Sequence, residues 1–111
     1  MKKSLLTMLL VLAIGPLFQQ SVAQGAAQKQ IKDPAEYNAY VNGVQQSNPA
    51  QKAQALEAFV QTYPNSVMKE EALEQLMASY QQAGDTQKTV DTANRILQVN
   101  PNNIRALALL A

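Results

Sequence analysis

Residues 70–103 read EEALEQLMASYQQAGDTQKTVDTANRILQVNPNN, and this stretch decides the architecture. Leu73, Leu76, Met77 and Tyr80 recur at three- and four-residue intervals, the spacing of one face of an α-helix. Gly84 follows, where a left-handed C-terminal cap wants a residue without a Cβ. Val90, Ala93, Ile96 and Leu97 then form a second inward stripe until Asn100-Pro101 breaks it. The spacing predicts helices over about Val67–Ala83 and Thr86–Val99, joined by a tight turn.

Working outward, the same pattern extends in both directions. Asp33-Pro34-Ala35-Glu36 offers an N-cap carboxylate, a proline at the first helical position and a glutamate able to reach back three residues later. Asn48-Pro49-Ala50-Gln51 repeats the device 15 residues on, which leaves room for one helix and a turn. A helix over Pro34–Gln46 would bury Tyr37, Tyr40, Val41 and Val44. The next, Pro49–Tyr63, would bury Ala53, Leu56, Phe59, Val60 and Tyr63 until Pro64 stops it. A last helix begins near Asn103 and shows Ile104, Leu107, Ala108 and Leu110. From Gln24 onward the chain holds 15 Ala and 13 Gln, with no alternation of strand length, so an all-α fold is expected.

The start of the chain is different in kind. Lys2 and Lys3 precede Leu5–Ile14, an apolar run of ten residues broken only by Thr7, and Gly15-Pro16 ends it. Stretched to Phe18 the segment reaches 14 residues, short of the roughly 20 that a membrane-spanning helix needs. With Ser21 and Ala23 placed before a cut, residues 1–23 read as a secretory signal peptide, the competing reading being an uncleaved anchor. The mature chain would then have no stable membrane span and a periplasmic or secreted location. Residues 24–32, QGAAQKQIK, are polar and without period, and are expected to be a flexible linker.

Composition removes most chemistry. The 111 residues contain no Cys, His or Trp. Thiolate metal sites, Cys nucleophiles and the side chain that titrates nearest neutrality are thus excluded. Nine Lys and Arg against eight Asp and Glu give a net charge of +1, too weak and too scattered to argue for nucleic acid. Glu70, Glu71 and Glu74 form a carboxylate cluster, but they stand in the first turns of a helix, where the dipole favours negative charge in solvent. No nucleophile has a base to activate it, and no cofactor or metal site is expected.

Pro64 and Pro101 close helices in similar contexts, Tyr63-Pro64-Asn65-Ser66 and Asn100-Pro101-Asn102-Asn103, separated by 37 residues. A helix pair recurring at that interval marks an α-solenoid. Residues 70–103 span 34 positions and resemble the tetratricopeptide repeat (TPR) family. Leu73, Leu76 and Tyr80 match the family's fourth, seventh and eleventh positions, Gly84-Asp85 its turn, Leu97 and Val99 its closing apolar residues, and Pro101 its terminal proline. Residues 33–69 resemble a more divergent copy, in which Val67–Lys69 lengthen the join. Residues 104–111 resemble the start of a third, cut inside the repeat, so a fragment of a longer protein is expected. AFVQTYPNSVMKEEAL, residues 58–73, is similar to repeats of exported envelope-assembly proteins.

What the resemblance implies is a non-enzymatic, exported scaffold that binds a protein or peptide partner in the cell envelope. Carried onto this chain, the family's groove positions point to Asn38, Asn42, Glu71, Glu74, Gln75 and Gln82 as partner-binding residues, with Arg105 beginning the third unit. The family's basic carboxylate clamp is not matched, so an extended polar segment is the expected ligand. The alternative is an N-terminal accessory region of a longer envelope enzyme or polysaccharide-export component. The intact mass of envelope-fractionated protein is expected to correspond to a chain beginning at Gln24, and retention of residues 1–23 would favour the anchor.

Overall fold

The computed structural model describes residues 29–111; the expected signal peptide and most of the expected linker lie outside the described residues. Every regular element among the described residues is an α-helix: α1 Pro34–Gln45, α2 Pro49–Thr62, α3 Lys69–Gln82, α4 Thr86–Val99 and α5 Ile104–Leu110. Each helix packs on the one before it and the one after it, and α1 also touches α3. None of these helices is long and apolar enough to cross a membrane.

Local chemistry explains where the helices begin and end. Asn48 Oδ1 accepts from the backbone N–H groups of Ala50 and Gln51, at 2.9 and 3.1 Å. Asp33 Oδ1 accepts from Ala35, Asp85 Oδ1 from Lys88 and Asn103 Oδ1 from Ala106, so four of the five helices start on a side-chain oxygen that satisfies an orphan donor. Gly84 carries φ +79°. There the Asp85 N–H donates to the Tyr80 carbonyl at 2.9 Å and the Gly84 N–H to that of Gln81 at 3.2 Å, which closes α3 with a Schellman pair and turns the chain into α4. The exception is the start of α3, which has no side-chain cap. Val67 and Met68 stay outside the helix, because the Met68 N–H donates to the Ser66 hydroxyl at 3.1 Å and fixes a turn there.

The core is a continuous seam through the three middle helices. Leu56, Phe59, Leu73, Leu76 and Ile96 are each 0–1% exposed. Tyr40, Phe59 and Tyr63 extend it as tilted rings, with centroids 5.4 and 5.6 Å apart in succession. Arg95 of α4 reaches across to Glu57 of α2 at 2.7 Å, an ion pair on the rim of the seam.

Three stripes differ from the pattern of apolar side chains. In α1 the buried residue is Gly43, while Tyr37 is 53% exposed. A Cβ on Gly43 would stand 2.9 Å from Leu56 Cδ2, so the missing side chain is what lets α1 and α2 approach there. In α4, Val90 faces outward and Thr89 and Thr92 are buried instead. Both hydroxyls donate to carbonyls four residues back at 2.6 Å, which hides their polarity and leaves their methyl groups to pack. In α5, Ile104, Leu107 and Leu110 are exposed and Ala106 is buried, because α5 packs chiefly on α4.

Replacing Gly43 by Ala sets a gain in helix propensity of about 1 kcal/mol against the collision with Leu56, which has no exposed surface on which to turn away. Gly43→Ala is expected to lower stability in urea titrations by about 1–3 kcal/mol. A rise of about 1 kcal/mol would mean that the helices separate at no cost. Leu76→Ala is expected to cost about 2–5 kcal/mol in the same assay.

Candidate functional site

The six residues expected to bind a partner divide into two groups. Asn38 and Asn42 on α1 and Gln82 on α3 are exposed, and Gln75 is half-buried. Asn42 Oδ1 accepts from Gln46 Nε2 of its own helix end at 3.3 Å, so its N–H₂ still faces solvent. Glu71 and Glu74 are engaged inside the chain. Lys29 Nζ donates to Glu71 Oε1 at 2.7 Å, and Asn103 Nδ2 donates to Glu74 Oε2 at 3.0 Å, with Arg105 Nη1 3.9 Å from its other oxygen.

At the centre of this polar cluster stands Glu70. Its Oε2 accepts from Asn100 Nδ2 at 2.8 Å and from Asn103 Nδ2 at 2.7 Å. The Asn103 amide is 6% exposed and uses both ends, its oxygen capping α5 and its nitrogen tying α5 to two carboxylates of α3. Asn100 does likewise, its Oδ1 accepting from the Asn102 N–H at 3.0 Å. The hydrogen bond from Asn103, then that from Asn100, hold the Glu70 carboxyl below its ordinary range; burial opposes them and Lys29 adds to them.

The first helical unit carries a counterpart. Glu36, expected to reach back to its own cap, instead accepts from the Ser66 hydroxyl at 2.8 Å. In both units a glutamate in or near the first turn of one helix thus grips the loop that follows the next helix. Sequence reading missed the clasp because Asn100 and Ser66 stand at breaks, where their turn-forming role already accounts for them. The available signal was valence: a capping Asn has an oxygen for the backbone and two N–H groups left over.

Tyr40 of α1 looks onto the same cluster. Burial raises its phenol above the usual range, and the charges of Glu71 and Glu74 push in the same direction. No set of acidic, His or Cys side chains among the described residues is arranged to hold a metal ion. A separate groove lies between α2 and the junction of α3 with α4, with about 580 Å³ of space over Ala50, Ala53 and Ala83. Tyr80 and Lys88 form one wall of it, the ammonium 5.5 Å from the ring centre.

Comparison with protein families, curated proteins and solved structures returned no match.

The Glu70 clasp has a pH signature of defined sign. Because the folded state lowers the pKa of this carboxyl from 4.5, its contribution to stability is full above that value and is lost as pH falls through the folded one. Glu70→Gln is therefore expected to be less stable than the parent near neutrality, with the gap closing under acid. Thermal melts across the acid range check this, and a gap independent of pH would show that the ionised form is not what the two amides hold.

Proposed function

We propose that the chain is a non-enzymatic, exported scaffold of the tetratricopeptide-repeat kind, and that the amide-bearing face of α1 and α3 holds an extended segment of a protein partner. The observation that carries this reading is the recurrence of the whole unit. Two helices, a proline-bearing loop and a glutamate gripping that loop occur twice, as Glu36 with Ser66 and as Glu70 with Asn100 and Asn103. Helices that pack only on near neighbours support stacking of units in a solenoid. The positive start and short apolar run of residues 1–23 support export to the cell envelope.

Within that reading the recognition chemistry falls to Asn38, Asn42, Gln75 and Gln82. Amides offer both a donor and an acceptor, which is what the backbone of an extended chain asks of a surface. Glu71 and Glu74, already paired with Lys29, Asn103 and Arg105, shape the electrostatics of the face and are not its free hands.

Photo-crosslinking from Asn42, Gln75 and Gln82 in envelope extracts is expected to yield one shared protein adduct, absent when the crosslinker stands at Gln54 or Gln98. Replacing Gln75 and Gln82 together by Ala, with helicity confirmed by circular dichroism, is expected to reduce that adduct about tenfold, as the loss of two neutral hydrogen bonds predicts. An adduct formed equally from Gln54 or Gln98, or unaffected by the double change, would move the site to the α2–α4 side.

A further inference from the structure

The residues expected to form a free linker next to α1 are seated on the molecule. Ile31 packs against the hydrophobic core and is half-buried. Two residues earlier, Lys29 crosses to α3 and places its ammonium 2.7 Å from Glu71 Oε1 and 4.0 Å from Glu70 Oε1. Between these two anchors the backbone runs without helix or turn. Lys29, Ile31, Tyr37, Tyr40 and Met68 share one cleft of about 340 Å³.

The seat is larger than its occupant. Glu71 Oε2 is buried with no hydrogen-bond partner among the described residues, so the carboxylate that holds Lys29 keeps one acceptor unused. Lys29 itself remains half-exposed, and the cleft beside Ile31 stays open. A short segment attached to α1 meets the minimum requirements of the seat, a cation for Glu71 and an aliphatic side chain beside Tyr40 and Met68. It leaves both the second acceptor and the remaining volume unfilled.

We infer that the seat made by the Glu71 carboxylate and, beside it, the cleft over Tyr40 and Met68 is a docking site for an extended segment carrying a lysine and, two residues later, a β-branched aliphatic residue, and that Lys29-Gln30-Ile31 occupies it in cis as a built-in competitor. This rests on the scaffold reading and names the chemistry of one part of its ligand, at the Glu70–Glu71 end of the face. Tethering decides the competition: a segment three residues from the start of α1 is present at an effective concentration of order millimolar, so an incoming segment must exceed that or make added contacts. The open cleft beside Tyr40 and Met68 is where such contacts are available.

The test uses the full chain and a probe copied from it, the synthetic peptide AQKQIKD, residues 27–33. Lys29→Glu with Ile31→Ser, two changes outside every helix, releases the cis segment. Circular dichroism confirms the fold, and Lys29→Gln alone serves if the pair impairs it. In nuclear magnetic resonance titrations the peptide is expected to bind the released chain at least tenfold more tightly than the parent, shifting Tyr40, Met68 and Glu71. Adding Glu71→Gln to the released chain should remove that gain, and a peptide with Glu in place of its Lys should not bind. Equal affinity for parent and released chains, or Tyr40 and Met68 resonances unchanged by the release itself, would overturn the inference. Either result would leave the Asn38–Gln82 crosslinking experiment intact, so the two readings fail separately.

Discussion

A helix of 14 residues cannot enclose anything by itself, and α3 solves that constraint by lying between α2 and α4. It buries Ala72, Leu73, Leu76, Met77 and Ser79, a stripe wider than a single neighbour can cover. Burial falls away on both sides of it. Helices α2 and α4 each bury four residues, while α1 and α5 bury one apiece, Gly43 and Ala106. Hydrophobic burial is the dominant favourable term, so the stability of the described chain is concentrated in its middle, and the outer helices are held by fewer apolar contacts.

The outer helices are correspondingly the ones tied by polar clasps. Glu70 and Glu74 hold Asn103, and with it the first turn of α5; Glu36 of α1 holds Ser66, and with it the start of α3. These are charge-assisted bonds to neutral donors, directional where apolar packing is not. They fix how each loop enters the next helix, while the seam of Leu56, Phe59, Leu73, Leu76 and Ile96 supplies the attraction. The two kinds of interaction meet in Asn103, whose side chain is nearly buried and fully employed. Burying such an amide is tolerable because its partners are supplied in the same fold.

The same accounting separates the polar face into parts that hold the protein together and parts that remain available. Glu74 is held by Asn103 and faces Arg105, while Glu71 is paired with Lys29 through one oxygen and keeps the other unpaired. The amides of Asn38 on α1 and Gln82 on α3 are exposed to solvent. A partner of the kind proposed would encounter hydrogen-bonding groups of both polarities on this surface. Recognition there would rest on shape and on backbone pairing more than on electrostatic steering.

Much was legible in the sequence by itself. Asp33, Asn48 and the prolines that follow them announced two helix starts, Gly84 announced a left-handed cap, and the stripes of α2 and α3 named Leu56, Phe59, Leu73 and Leu76 as core, because these are effects of neighbouring residues on one another. What only the tertiary structure decided concerns residues whose role depends on a distant partner. Gly43 has no hydrophobic signal, and its value lies in what it leaves room for on Leu56. Thr89 and Thr92 look polar until their hydroxyls close on their own helix. Lys29 reads as linker until the fold brings Glu71, 42 positions away, to within 2.7 Å. Asn103 reads only as the place near which the last helix begins, and only the fold turns its spare N–H groups toward Glu70 and Glu74. Periodicity records which side of a helix prefers to leave water, whereas the identity of the group waiting on the other side is set by packing.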